Sequence, residues 1–176
     1  MKLLGAHNTL TAYSSIFDRK KFLRCQSKKV GDLYRCGVKV FDIRIHMFKG
    51  KIYASHGGAN YKVNVSEIIR YINNLPDPIY IRLINEDTIQ NSDYLEFLKQ
   101  AKEWIKLYHH VKWQIIDSKK VWSIYYNEFP HETQYNLYWK MGMKPNKPKP
   151  YADKYNNENF EKYRDSTSGI WWFDFI

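Results

Sequence analysis

Residues 38–45, Val38-Lys39-Val40-Phe41-Asp42-Ile43-Arg44-Ile45, alternate in side-chain character and are rich in β-formers, which predicts a strand. Asp42 and Arg44 stand two apart in it, so both fall on one face of that strand. Downstream, Lys49-Gly50-Lys51 makes a turn into a second extended run, Ile52-Tyr53-Ala54, which ends at Ser55-His56-Gly57-Gly58. Upstream, Leu3 to Gly5 reads as a short strand that runs into a His7-Asn8-Thr9 turn. A helical region is expected over roughly Ser15 to Cys36, with a break at Gly31.

The rest of the chain continues this alternation. Ser66 is placed to cap a helix whose Ile68, Ile69, Ile72 and Leu75 share a face, and Pro76-Asp77-Pro78 stops it. Ile79 to Ile84 is the next strand. Ser92 to Tyr108 follows as a helix with Leu95, Leu98, Ala101, Ile105 and Tyr108 on one side. Val111–Ile116 and Val121–Tyr126 read as strands, Lys140–Pro150 as a loop, and Tyr155–Arg164 as a polar helix. Gly169 to Ile176 closes the chain as a buried strand that carries Asp174. Strands alternating with helices predict an α/β fold with mostly parallel strands. A closed eight-fold barrel takes about 250 residues. The 176 residues here therefore predict a compressed or incomplete (β/α) barrel, one domain over 1–176, with elements missing after Glu86.

Composition narrows the class of partner. The formal net charge of +10 favours anionic partners, whether phosphorylated substrates, acidic membrane surfaces or nucleic acid. Hydrophobic residues at 44% and aromatics at 17% exclude a disordered chain. Cys25 and Cys36 are too few for a disulfide scaffold, and no Cys/His spacing suggests zinc, so both are expected to be thiols of a reducing compartment. The apolar stretch at the N-terminus is too short for a signal peptide, and no run approaches the roughly 18 apolar residues of a bilayer span. A cytoplasmic protein with at most peripheral contact to an anionic membrane is the expectation. No nucleic-acid motif or Lys/Arg stripe is present, so no nucleic acid is expected as partner.

Chemistry concentrates where strands are expected to end. His7, the Asp42/Arg44 pair and His56 fall at or near carboxyl ends of strands, the side on which parallel α/β folds assemble their sites. Two histidines suit general acid–base work because imidazole carries a proton either way near neutral pH. Arg44 offers a fixed positive fork for a phosphate, and Asp174 a carboxylate to hold one imidazole in a defined tautomer. Together they suit cleavage of a phosphodiester. Each has a plainer reading as well: an intra-sheet ion pair for Asp42 and Arg44, a turn at Gly57-Gly58, a capping or salt-bridge residue at Asp174.

The blocks, in order, resemble a known family. Gly5-Ala6-His7-Asn8-Thr9-Leu10-Thr11 is similar to the opening motif of the phosphatidylinositol-specific phospholipase C catalytic domain. Gly37-Val38-Lys39-Val40-Phe41-Asp42-Ile43-Arg44 resembles its second block, and Tyr53-Ala54-Ser55-His56-Gly57 the block with its second histidine. The resemblance is firm over about residues 5–87, and residues 169–176 resemble the closing strand. It implies His7 as general base oriented by Asp174, His56 as general acid, Arg44 on the phosphate and Asp42 fixing Arg44 or His7. The implied substrate is phosphatidylinositol or a related phosphodiester lipid head group, attacked by its own neighbouring hydroxyl. Asn8, Arg82, Asn85, Glu86 and Asp117 are candidate substrate-binding residues. Trp122, Tyr125, Tyr126 and Trp139 are candidates for stacking or for a membrane interface.

One residue departs from the bacterial pattern. Asn8 stands where bacterial members carry Asp, and it matches instead the calcium-dependent enzymes. The expectation is no metal, because Arg44 would repel a cation, with Asn8, Asp42 and Glu86 as the alternative calcium site. A non-catalytic module binding phosphoinositide or an anionic membrane is the alternative function. A glycerophosphodiester phosphodiesterase is the near neighbour, but its His-Arg-Gly opening is absent.

Overall fold

The computed structural model of the chain describes residues 1–15, 23–86, 92–117, 123–126, 132–134 and 148–176. The block around Asp42 forms the strand its alternation predicts, shifted so that it starts two residues later and ends three residues later: β2 runs Val40–Phe48. On one edge it meets β1 (Lys2–Ala6) in parallel, but only through Gly5–Val40 and Ala6–Phe41. Beyond that point β3 (Lys51–His56) takes over antiparallel, from Ile45–Ala54 to Phe48–Lys51, and it pairs in turn with β4 (Ala59–Tyr61). The other edge of β2 carries β5 (Tyr80–Asn85) in parallel along Val40–Ile45.

β6 (Lys112–Asp117) extends the sheet in parallel and β7 (Ser123–Tyr126) antiparallel. On the far side β9 (Gly169–Phe173) lies parallel to β1, and β8 (Glu132–Gln134) parallel to β9. The order β7-β6-β5-β2-β1-β9-β8 is a half-barrel, so the expected incomplete barrel with mostly parallel strands is the architecture observed. It is a mixed sheet, because β3, β4 and β7 run antiparallel.

The two-residue period of each strand divides its side chains between two environments. The outer face, with Phe41, Ile43, Ile81, Leu83, Trp113 and Ile115, packs under the helices. There α2 (Val65–Asn73) buries Val65, Ile69 and Ile72, and α3 (Tyr94–Leu107) buries Phe97, Ala101 and Trp104. α4 (Pro148–Asp165) lies along β9, with Phe160 stacked on Phe173 at a ring separation of 4.2 Å. The concave face has its own small cluster of Leu3, Val40, Tyr80, Ile170 and Trp172, which floors the half-barrel. Gly5 admits the Trp172 indole: a Cβ there would stand 2.7 Å from Trp172 Cε3.

Several local expectations are corrected. Of the helix expected over Ser15–Cys36, the described residues form only α1 (Val30–Arg35), which includes Gly31. Residues 24–26 are loop instead, because Cys25 and Gln26 bond through their backbones to Thr11 and Phe175. The cap of α2 is Asn64, whose side chain accepts from Glu67 N at 3.3 Å, and not Ser66. Leu95 is exposed, since α3 turns Phe97 and Trp104 inward. Pro148–Pro150 open α4 rather than end a loop, and residues 140–147 lie outside the described ones. No described helix is long and apolar enough to cross a membrane.

Gly5→Ala tests the floor. Overpacking of this kind costs about 1–3 kcal/mol, so the urea midpoint should fall with an unchanged slope. An unchanged midpoint would contradict the tight Gly5–Trp172 contact.

Candidate active site

The site begins where β1 ends. His7 N still donates to Phe173 O at 3.1 Å, so the parallel ladder with β9 extends one residue past the strand. Asn8 then takes a left-handed conformation (φ 48°, ψ 50°), one that Asn tolerates better than most residues, and the chain turns away. Asp42 Oδ2 accepts from Asn8 N at 3.1 Å, and Thr9 Oγ1 donates to Ala6 O at 2.9 Å, which hold the turn.

His7 is buried between two charged groups. Its Nδ1 lies 2.8 Å from Asp174 Oδ1, and its Nε2 lies 3.0 Å from Arg44 Nη2. A guanidinium can only donate, so Nε2 must accept and Nδ1 carries the hydrogen toward Asp174. The surroundings thus fix the tautomer that keeps its lone pair on Nε2. Asp174 itself sits one residue beyond β9, not within it, and Asn156 of α4 donates to its backbone carbonyl at 2.8 Å.

Asp42 is fully buried at the centre of the charges. Arg44 Nε and Nη2 reach its Oδ2 at 3.4 and 3.3 Å, while Arg44 Nη1 reaches Glu86 Oε2 at 3.5 Å. Burial alone would raise the Asp42 carboxyl, but Arg44, His7 and Arg82 outweigh it and hold it below its ordinary value. The guanidinium therefore occupies the space between two of the three candidate calcium ligands, Asp42 and Glu86. Asn8 contributes its backbone N–H to Asp42.

His56 arrives on the antiparallel return of β3. Its ring lies 6.5 Å from that of His7, centroid to centroid, in an edge-on arrangement. Burial, then the neighbouring Arg44 and His7, hold His56 well below the ordinary value of 6.5. Asn8 Nδ2 stands 3.4 Å from His56 Nε2, where it donates to a neutral ring and opposes a protonated one.

The predicted substrate-binding residues divide. Arg82 is in register with Asp42 on the concave face, its guanidinium 5.3 Å from the Trp172 ring centroid. Glu86 also reaches the cleft, accepting from Gly57 N at 3.4 Å. Asn85 and Asp117 are paired with each other and take the alternate positions shared with Leu83 and Ile115, on the helix-covered face. Those two do not join the cleft, because a one-residue step along a strand reverses the side chain. Trp122 and Trp139, and the side chains of Tyr125 and Tyr126, lie outside the described residues.

Two residues that sequence reading missed complete the site. Cys25 N and Gln26 N both donate to Thr11 Oγ1, at 2.9 and 3.0 Å, and Cys25 O accepts from Phe175 N at 2.7 Å. Gln26 Nε2 bridges His7 O at 3.0 Å and Phe173 O at 2.7 Å, joining the ends of β1 and β9. Cys25 Sγ accepts from Asn8 Nδ2 at 3.3 Å, and burial pushes its thiol well above the ordinary range. No spacing in the sequence signals either role, since each of these partners lies at least fourteen residues away.

No protein-family model and no curated protein matches the chain. Solved structures do match. The phosphatidylinositol-specific phospholipase C of Listeria monocytogenes superposes with a TM-score of 0.64 at 17% identity, over 99% of this chain and 88% of that one. The F249X mutant of the Staphylococcus aureus enzyme gives 0.67 at 13% identity, over 98% and 85%. A further S. aureus structure, concerned with modulation of membrane binding, gives 0.66 at 12% over 98% and 85%. The chain has the phosphatidylinositol-specific phospholipase C fold. Within that fold, His7, Arg44 and His56 gather at the carboxyl end of the parallel strands, opposite Trp172 and the apolar floor.

Histidine titration by NMR checks the electrostatics. His56 should gain its proton only well below the pH at which an exposed histidine does. Asn8→Asp should raise its midpoint by about one unit or more, the effect of an opposite charge at this range. A wild-type midpoint at or above the ordinary value would contradict the burial and the Asn8 contact.

Proposed function

We propose that the chain is a metal-independent phosphodiesterase acting on phosphatidylinositol or a closely related lipid phosphodiester. One observation carries the reading: a buried histidine, its tautomer fixed by Asp174 behind and Arg44 in front, beside a second histidine. A diester phosphate takes over the Arg44 Nη2 contact and that of Asn8 Nδ2, 3.1 Å from the ring, which leaves His7 Nε2 to accept the proton of the attacking hydroxyl. The Asp174 carboxylate stabilises the imidazolium that results. Arg44, anchored by Asp42 and Glu86, balances the charge that develops on the phosphoryl oxygens. His56 gives a proton to the departing alkoxide. An attacking hydroxyl from the neighbouring ring carbon yields a cyclic phosphate.

Calcium does not suit this donor set. Arg44 already pairs with both Asp42 and Glu86, so calcium held by those two carboxylates would sit against the guanidinium. The positive net charge, and the membrane binding of the structurally similar S. aureus phospholipase, support peripheral contact with an anionic surface. A second reading, a phosphoinositide-binding module without turnover, is favoured by the contact of Asn8 with His56, which disfavours the protonated acid.

Turnover of phosphatidylinositol vesicles separates the two. The enzyme reading expects activity insensitive to EDTA. His7→Ala and His56→Ala should each lower kcat by about 10²–10⁴, with vesicle binding retained. Binding without turnover in the wild type would select the module, and turnover untouched by both substitutions would overturn the site.

A further inference from the structure

We propose that His7, Cys25 and Asp174 form a site for a thiophilic divalent cation, of which Zn²⁺ is the type, and that its occupation disables the base. The imidazole, thiol and carboxylate ligand atoms of these residues all lie within 4.8 Å of one another. All three side chains are buried, at 3%, 2% and 1% exposure. Nitrogen, sulfur and oxygen donors from one residue each form a mixed set that zinc accepts and calcium does not. A tetrahedral zinc with bonds of about 2.0–2.3 Å needs its ligands roughly 3.3–3.6 Å apart. Side-chain shifts of about an ångström therefore suffice.

The thiol is held in place by the backbone, not by chance packing. Cys25 N is bonded to Thr11 Oγ1 and Cys25 O to Phe175 N, the residue next to Asp174. Binding balances as proton exchange: the Cys25 thiol proton leaves to solvent as the S–Zn bond forms. The cation takes His7 Nδ1 in place of the hydrogen shared with Asp174, and that hydrogen moves to Nε2. Nε2 then becomes a donor and loses both its contact with Arg44 and its capacity to accept a proton. The carboxylates of Asp174 and Asp42, the latter 3.8 Å from His7 Nε2, offset the charge of the cation against Arg44. Binding is independent of the proposed activity; only the inhibition rests on that reading.

Cd²⁺ serves as the probe, because cadmium–thiolate charge transfer absorbs in the ultraviolet. One equivalent should produce that absorption in the wild type and in Cys36→Ser, whose replaced thiol is exposed. Zn²⁺ or EDTA should abolish it, Cys25→Ser should lack it, and His7→Ala should weaken Cd²⁺ affinity at least tenfold. Zn²⁺ should also slow diester turnover in the wild type and in Cys36→Ser. Absorption that persists in Cys25→Ser, vanishes in Cys36→Ser or is indifferent to His7→Ala would overturn the site. A protein inactive on every diester that still gives the Cys25-dependent absorption retains the cation site and loses only the enzyme reading.

Discussion

The parallel pairing of the first and last strands is the constraint on which the rest of the molecule depends. Its register, from Lys2–Gly169 to Ala6–Phe173, brings His7 level with Asp174 across 167 positions of chain. A shift by one residue would point one of the two away from the cleft. Gly5 permits Trp172 to lie against the strand, and Gln26 ties the two strand ends together by their carbonyls. Long-range pairing, tight packing and a side-chain clamp thus converge on one hydrogen bond, His7 to Asp174.

Around that bond the buried charges form one interdependent set. Asp42 is fully buried and stays ionised only because Arg44, His7 and Arg82 surround it. Removing one member of such a set leaves an uncompensated charge in a low-dielectric setting, which costs more than the pair contributes. The early end of β1 serves the same arrangement. Its short pairing with β2 leaves room for the His7–Asn8 turn, and the vacated edge of β2 is taken by β3, which returns His56 to the cleft.

Much of this was legible in the sequence where the information is local. The alternation of residues 38–45 gave β2 and put Asp42 and Arg44 on one face, and the turns after residues 6 and 56 marked both histidines. What was not legible depends on contacts distant in the chain. Cys25 and Gln26 read as parts of a helix, because nothing nearby announces that Thr11, Phe173 and Phe175 will take their hydrogen bonds. Asn85 and Asp117 read as cleft residues because they stand at strand ends, whereas the pleat assigns them to the other face. Leu95 looked like a core position until the packing of α3 chose Phe97 and Trp104. Period and turn chemistry are written locally; register and face are set by what packs on either side.

In the proposed function a tautomer-fixed histidine and an arginine, without a metal, carry phosphodiester cleavage by an internal hydroxyl. Phosphorus NMR of phosphatidylinositol vesicles incubated with the protein in EDTA addresses it most directly. Metal-free attack by the neighbouring hydroxyl predicts that the diester resonance gives way to that of a five-membered cyclic phosphate. An unchanged diester, or product that forms only when calcium is restored, would contradict it.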